Sequence, residues 1–293
     1  MYEENLKPLP PGDATVVFSD EFKAVRRLCG ESPEPLGPEN VMRWGLKQAQ
    51  PYVGKICRRL ILPGSCIAGL DHLALLADLA RRGTACLVCM NHRSNLDVPT
   101  LYTLLEDQSE SSIFHQIIWI AGRKLHEDSG LTPAMARCFN QVTLTPRSWL
   151  NEGHTAEALQ KGHEINVAAQ RTMRELRHRG WVFALFPTGT RVRPNHASTA
   201  RAIEETDSYL KHFEVLALGN IDGCTLPVTR DRDLTRETPR LDRLIYTFGP
   251  ATRTDQWRSN AARRFPQLSQ RAASARAIME DIGALAPRPS QNT

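Results

Sequence analysis

A histidine and an aspartate five positions apart are the first residues of this chain that could do chemistry together. His92 and Asp97 stand in the segment N-H-R-S-N-L-D, directly after the apolar run Cys86–Met90. An imidazole can take a proton from an alcohol near neutral pH when one ring nitrogen faces the substrate and the other is held. A neighbouring carboxylate fixes the tautomer and stabilises the imidazolium that forms. The pair therefore predicts that His92 acts as a general base on a hydroxyl and that Asp97 orients it.

Two elements must position this pair. The run Cys86–Met90 has the length of a buried strand, and Pro99 is tolerated only in the first turn of a helix, so a helix is predicted to begin near Asp97. A strand-to-helix turn lets the carboxylate reach back to the imidazole. The residues alone support a second interpretation equally well, in which Asp97 only caps the helix and His92 is an ordinary turn residue.

Four segments arrive in the order known from one family. The segment N-H-R-S-N-L-D resembles the first motif, His-x4-Asp, of the glycerolipid acyltransferases, which acylate glycerol phosphate and lysophospholipids. Q-V-T-L-T-P-R at 141–147, F-P-T-G-T-R at 186–191 and T-L-P-V at 225–228 resemble the second, third and fourth motifs. Four ordered motifs are far more specific than one. The resemblance implies an O-acyltransferase in which His92 and Asp97 are catalytic.

The turn at 187–193 has the chemistry of an anion site. It offers backbone N–H groups, the hydroxyls of Thr188 and Thr190, and the flexible Gly189, all suited to a phosphate oxygen. Arg191 can bind two phosphate oxygens and Arg193 adds charge. The R-V-R spacing also resembles the soluble plastid-type glycerol-3-phosphate acyltransferases, where two arginines of this motif form part of a basic pocket. The alternative is a surface turn with solvated arginines.

Two further residues bear on the acceptor. The resemblance implies that Arg147, in the second motif, contacts the acceptor's phosphate, although an arginine there could also form only a surface ion pair. Thr188 stands where most of the family has glutamate. An acidic residue would position the acceptor's hydroxyl or order the arginine, and threonine does the first weakly and the second not at all. The departure affects the identity of the acceptor and leaves a catalytically inactive relative open.

Composition and charge narrow the class of protein. The chain has 293 residues, of which 41% are hydrophobic and 24% charged, and its net charge is +5. These values are ordinary for a globular protein. Neither a long basic block nor a nucleic-acid motif accompanies the mild positive charge, so a phosphorylated substrate is favoured over a nucleic acid. The histidines show no metal-ligand spacing, and no metal is expected.

The cysteines and the apolar runs predict the compartment. Seven cysteines lack framework spacing, and Cys86 and Cys89 would lie on opposite faces of their strand, so reduced thiols are expected. The N-terminal segment has no apolar core of a secretory signal, and no apolar run approaches about 20 residues. A cytoplasmic protein is expected, with peripheral contact at the inner face of the membrane left open.

Helices alternate with apolar strands along most of the chain, which predicts an α/β fold: a layered, largely parallel central sheet flanked by helices, with a small N-terminal helical appendage. We divide the chain into an appendage and linker at 1–62, an acyltransferase α/β domain at 63–285 and a disordered tail at 286–293. The predicted elements include strands at 15–18, 117–122, 181–186 and 224–228, and helices at 155–179 and 198–211. Ligands of such sheets bind beyond the carboxyl ends of the strands, where His92, Arg147 and Arg191 are expected.

The expected reaction moves a fatty acyl group from an acyl thioester to a hydroxyl of glycerol 3-phosphate in phospholipid biosynthesis. Acyl-CoA or acyl carrier protein would be the co-substrate, and no other cofactor is expected. Three alternatives stay open: acylation of 1-acylglycerol 3-phosphate, a non-catalytic protein that binds lipid or acyl carrier, and a thioesterase.

Overall fold

The structure is a computed structural model that describes residues 8–30, 35–127, 131–193, 195–228 and 237–287. Nine strands form one sheet. The strands are β1 (Met42–Arg43), β2 (Cys66–Ala68), β3 (Cys86–Met90), β4 (Ile117–Gly122), β5 (Gln141–Leu144), β6 (Val182–Leu185), β7 (Val215–Asp222), β8 (Ile245–Phe248) and β9 (Thr252–Arg253).

Helices cover both faces of the sheet. They are α1 (Ala14–Val17), α2 (Ser19–Cys29), α3 (Gln50–Arg58), α4 (Leu70–Arg81), α5 (Asp97–Asp107), α6 (Ser111–His115), α7 (Lys124–Glu127), α8 (Leu131–Ala136), α9 (Arg147–Leu150), α10 (Ala156–Leu176), α11 (Thr206–Leu210), α12 (Thr254–Arg264) and α13 (Gln270–Ala284).

The centre of the sheet is parallel. The strand order is β1-β5-β4-β6-β3-β7-β8-β2, and the run from β5 to β7 is parallel throughout. β1, β8 and β9 add antiparallel pairings around this centre. The predicted α/β architecture is therefore confirmed. Because β5, β6 and β3 are parallel and close together, their carboxyl ends, which carry the first three motifs, lie at one edge.

β3 contributes to a separate apolar core on each face of the sheet. Cys86, Val88 and Met90 pack into one core, whereas Leu87 and Cys89 pack into the other. A strand buried on both faces reads as a continuous apolar run, which explains the sequence of β3. The two cysteines therefore lie on opposite faces as predicted, and burial raises the pKa of both thiols.

The N-terminal segment packs against the rest of the molecule. Val25 of α2 and Val53 and Ile56 of α3 belong to the same apolar core as Val88, and β1 pairs with β5. The division at residue 62 stays a prediction. Of the predicted tail at 286–293, residues 288–293 lie outside the described residues. In the described part of the chain, no helix has the length and apolar character needed to cross a membrane.

Two predicted strands are wrong. Residues 15–17 lie in α1 instead and Phe18 follows its last turn, because the Asp13 carboxylate accepts from the backbone N–H groups of Thr15 and Val16 and so caps a helix. Residues 224–228 form no strand. There the backbone pairs with the neighbouring loop, since Thr225 accepts from the Arg240 N–H at 2.9 Å.

The predicted helix at 198–211 is shorter than expected. A 3-10 turn at Ala197–Ala200 and the short α11 replace it. The segment between them is held by the third motif, because the Ile203 N–H and the Thr206 hydroxyl both donate to the carbonyl of Pro187, at 2.9 and 3.1 Å. A tertiary contact therefore overrides the local helix pattern, whereas the predicted helix at 155–179 is confirmed as α10.

Candidate active site

The turn between β3 and α5 brings His92 and Asp97 together. His92 Nδ1 lies 2.8 Å from Asp97 Oδ2, and the same oxygen accepts from the backbone N–H groups of Arg93 at 2.7 Å and Ser94 at 3.0 Å. The Asp97 side chain is 4% exposed and that of His92 is 18% exposed. An ionised carboxylate only accepts hydrogen bonds, so Nδ1 is the donor and Nε2 is the nitrogen left for a substrate proton.

Neighbouring strands fix the plane of the imidazole. Phe186, which follows β6, stacks on His92 with ring centroids 4.0 Å apart and planes 9° apart, and Trp119 of β4 stacks on the other side of the phenyl ring at 5.4 Å. The stack follows from the sheet, because β3, β6 and β4 are consecutive neighbours in it. The His92 imidazole is thus held by its hydrogen bond to Asp97 and by stacking of Phe186 on its face.

Hydrogen bonds tie the turn that carries His92 and Asp97 to two other segments. The Asn91 side chain donates to the Ile221 carbonyl at 3.0 Å and accepts from the Ile221 N–H at 2.7 Å, which fastens the turn to β7. The Val192 N–H donates to the carbonyl of His92 at 2.8 Å. The third motif is therefore joined directly to His92 of the first.

His92 opens on a cavity of about 850 Å³. Its volume lies within the usual range of ligand pockets. Apolar side chains from β4, from α7 and α8 and from the ends of β5 and β6 contribute much of its wall: Trp119, Ile120, Leu125, Met135, Phe139, Leu144, Leu185 and Phe186. The arrangement places a proton acceptor at the wall of a site that favours an apolar ligand.

Arg147 shares this cavity with His92. It begins α9 directly after β5, and 63% of its side chain is exposed. Its Nη1 lies 3.3 Å from Oε1 of Glu205, which also lines the cavity. An exposed and weakly paired guanidinium is available to an anionic ligand at little cost.

The third motif forms a tight turn beside the cavity. Gly189 lines the cavity and has φ of +62°, in the left-handed region that favours glycine. Thr188 is buried, and its hydroxyl donates to the carbonyl of Thr190 at 2.6 Å. The threonine hydroxyl is therefore used within the turn, and its predicted role toward the acceptor stays a prediction, as does that of Thr190.

The two arginines of this motif surround a carboxylate that sequence reasoning missed. Arg191 Nη1 donates to Oε1 of Glu237 at 2.6 Å, with the Arg191 side chain 11% and the Glu237 side chain 0% exposed. Burial raises the pKa of Glu237, and Arg191, Asn95 and Arg193 only partly offset this effect. Glu237 lies 46 positions beyond Arg191 in a polar stretch, so no local spacing signals it.

The eight predicted site residues fall into two groups. Two of them, His92 and Asp97, form one hydrogen-bonded pair, and Arg147 and Gly189 line the cavity on which His92 opens. The other four, Thr188, Thr190, Arg191 and Arg193, build the turn that donates to the His92 carbonyl. Among the described residues, no group of three or more His, Cys, Asp or Glu side chains could hold a metal ion.

Comparisons with known proteins identify a family that this chain is similar to. Residues 76–214 match the family model described as Acyltransferase. The matched region is similar to that family over slightly less than half of the chain. The match includes the catalytic turn, Arg147 and the third motif, and it ends before Glu237.

One solved structure and one search complete the comparison. The 1-acyl-sn-glycerophosphate (LPA) acyltransferase PlsC from Thermotoga maritima is similar over 83% of this chain and 84% of that chain, at 17% sequence identity and a TM-score of 0.45. A search of curated proteins found no match. The protein is an enzyme that transfers acyl groups, and within the matched region His92 Nδ1 lies 2.8 Å from Asp97 Oδ2.

Proposed function

We propose that the protein transfers a fatty acyl group from an acyl thioester to a hydroxyl of glycerol 3-phosphate in phospholipid biosynthesis. The observation that carries the proposal is the 2.8 Å contact between His92 and Asp97 at the wall of an apolar cavity inside an acyltransferase domain. Acyl-CoA and acyl carrier protein are the two co-substrates that would supply the thioester.

His92 is the base in this proposal. Its Nε2 takes the hydroxyl proton as the acceptor's oxygen attacks the thioester carbonyl, and the new C–O bond forms. Asp97 Oδ2 stabilises the imidazolium. When the tetrahedral intermediate collapses, the C–S bond breaks and His92 returns the proton to the departing thiolate. The sequence of steps needs no acyl group on the protein.

The arginines place the acceptor. Arg147 on the cavity wall, with Arg191 and Arg193 in the adjoining turn, would bind the phosphate and so hold a glycerol hydroxyl near His92 Nε2. Fixing an acceptor in this way converts a bimolecular reaction into an effectively unimolecular one. The apolar walls of the cavity would accept the acyl chain of the donor.

A second acceptor, 1-acylglycerol 3-phosphate, is supported by the same apolar wall. This acceptor carries the same phosphate and adds an apolar chain, which a cavity with apolar walls favours. Because the products are amphiphilic, the proposal includes peripheral contact with a membrane, which co-sedimentation with anionic phospholipid vesicles would test.

The deciding experiment measures thiol release from acyl-CoA and from acyl carrier protein, with and without each acceptor. We expect release that depends on an acceptor, and comparing initial rates with glycerol 3-phosphate and its 1-acyl form assigns the substrate. Release that is the same without acceptor would indicate a thioesterase. Binding of thioester without any release would indicate a non-catalytic protein, and either outcome overturns the proposal.

A further inference from the structure

Glu237 brings a fully buried carboxylate to the third motif from outside the matched domain. Its side chain is 0% exposed, and Oε1 accepts from Arg191 Nη1 at 2.6 Å. Burying a carboxylate is unfavourable unless an opposite charge and hydrogen bonds compensate for lost water. Oε2 has no hydrogen-bond partner among the described residues. The position is therefore not one that packing alone favours.

The Glu237 carboxylate accepts from only one of the nitrogen atoms of the Arg191 guanidinium. A guanidinium has five N–H donors in a fixed plane. Within the described part of the chain, Arg191 makes one side-chain hydrogen bond, the one to Glu237. An ion pair that occupies only one N–H group of a guanidinium fixes the plane of that group. Its other N–H groups can still bind a second anion.

The pair lies next to the catalytic turn. Val192, the residue after Arg191, donates its N–H to the His92 carbonyl at 2.8 Å. Asn95, which lines the cavity, stabilises the ionised form of the Glu237 carboxylate. The Nε of Arg193 is buried and has no partner among the described residues. A buried donor without a partner, in the turn whose Gly189 lines the cavity, indicates a place where a ligand supplies the missing acceptor.

Thr188 explains why a carboxylate from elsewhere is needed. The hydroxyl of Thr188 donates within its own turn at 2.6 Å, so this residue does not orient Arg191. Glu237 makes the contact that Thr188 cannot make.

We propose that Glu237 is a positioning residue for acceptor binding: its carboxylate holds Arg191 so that the remaining N–H groups of the guanidinium meet the acceptor's phosphate. This inference rests on the proposed function and deepens it, because it assigns the acceptor's anionic group to a pocket organised from two distant parts of the chain.

The test compares Glu237→Gln, which keeps the shape and removes the charge, with the wild-type protein. We expect the KM for glycerol 3-phosphate to rise on the order of tenfold or more, because Arg191 loses its charged partner. The kcat and the KM for the thioester should change little, since neither depends on acceptor binding. Glu237→Asp should restore part of the acceptor affinity.

Asp207→Asn is the matched control. Asp207 is also 0% exposed and pairs with an arginine, Arg258, at 2.7 Å, but neither Arg258 nor Ser274, its hydrogen-bond partners, belongs to the third motif. This variant should lower the melting temperature and leave the acceptor's KM unchanged. An Arg191→Ala background provides the coupling test, because Glu237→Gln should then add nothing to the rise in KM.

Calorimetric titration with glycerol 3-phosphate separates this inference from the proposed function. If the wild-type protein binds glycerol 3-phosphate and Glu237→Gln weakens this binding by a similar factor, the inference stands even where thiol release is independent of acceptor. An unchanged KM and affinity in a folded Glu237→Gln variant would overturn it, as would an equal effect in the Arg191→Ala background. Absence of binding to the wild-type protein would overturn both.

Discussion

Two buried carboxylates, each paired with an arginine, lie in different regions of the molecule and accept different numbers of hydrogen bonds from the described residues. Among the described residues, the Glu237 carboxylate accepts one hydrogen bond, from Arg191. Asp207 of α11 accepts two from Arg258 of α12, at 2.7 and 3.0 Å, and one from Ser274 of α13, at 2.7 Å. Both carboxylates are 0% exposed.

The ionisation of the two carboxylates differs in the same way. Burial alone would raise the pKa of Asp207, but the hydrogen bonds from Arg258 and Ser274 outweigh it and hold this pKa below its usual value. At Glu237 burial prevails and the pKa is raised. The Asp207 pair stabilises the ionised carboxylate and joins three helices. The Glu237 pair leaves N–H groups of Arg191 without a partner among the described residues. The comparison contrasts a carboxylate whose hydrogen bonds stabilise the fold with one that we propose positions a binding residue.

The largest effect is expected from a substitution in the candidate active site. His92→Ala removes the proton acceptor, so acceptor-dependent thiol release should fall by about 10² to 10⁴-fold, the usual contribution of a general base. The free energy of unfolding and the affinity for glycerol 3-phosphate should stay near the wild-type values. Initial rates, urea unfolding and titration calorimetry measure the three quantities.

His178→Ala is the control for that experiment. His178 is exposed, contacts the Gly83 carbonyl at 2.9 Å and lies outside the cavity wall. Its loss should not change turnover. If His92→Ala retained turnover and lost acceptor binding instead, the role of base assigned to His92 would be wrong.

The next largest effect is a loss of stability when the Asp207 pair is broken. Asp207→Asn leaves Arg258 buried without its charge partner and should lower the free energy of unfolding by about 3 to 5 kcal/mol. Urea unfolding at neutral pH measures this loss. Glu237→Gln should lose less stability, because it breaks one hydrogen bond rather than three. An equal or larger loss for Glu237→Gln would break the comparison between the two regions.

The smallest effect is the pH dependence of that loss. The pKa of Asp207 is lower in the folded protein than its ordinary value of 3.8, so the stability it contributes is complete above that value and is lost as the pH falls through the folded pKa. The difference in stability between wild type and Asp207→Asn should therefore be constant from about pH 7 to pH 5 and shrink below about pH 4. Urea titrations at successive pH values follow it, and a difference that grew on acidification would contradict the assignment.

The local sequence pattern predicted helices and strands correctly where a segment's own residues decide its structure. The apolar runs gave β3, β4 and β6, because a strand covered on both faces has to be apolar throughout. Pro99 located the start of α5, and with it the turn that joins His92 to Asp97. The same reasoning failed at 15–18 and at 198–211, where a capping carboxylate and the carbonyl of Pro187 replaced the expected partners.

The sequence by itself determined the central strands β3, β4 and β6, the turn that joins His92 to Asp97 and the order of the motifs. Only the tertiary structure decided that Phe186 covers the imidazole and that Glu237 pairs with Arg191. The physical reason is the sequence distance between interacting residues. A strand or turn depends on neighbours a few residues away, whereas a buried charge needs an opposite charge that can come from a distant part of the chain. Which distant residue supplies it depends on how the strands are ordered and on what is excluded from water.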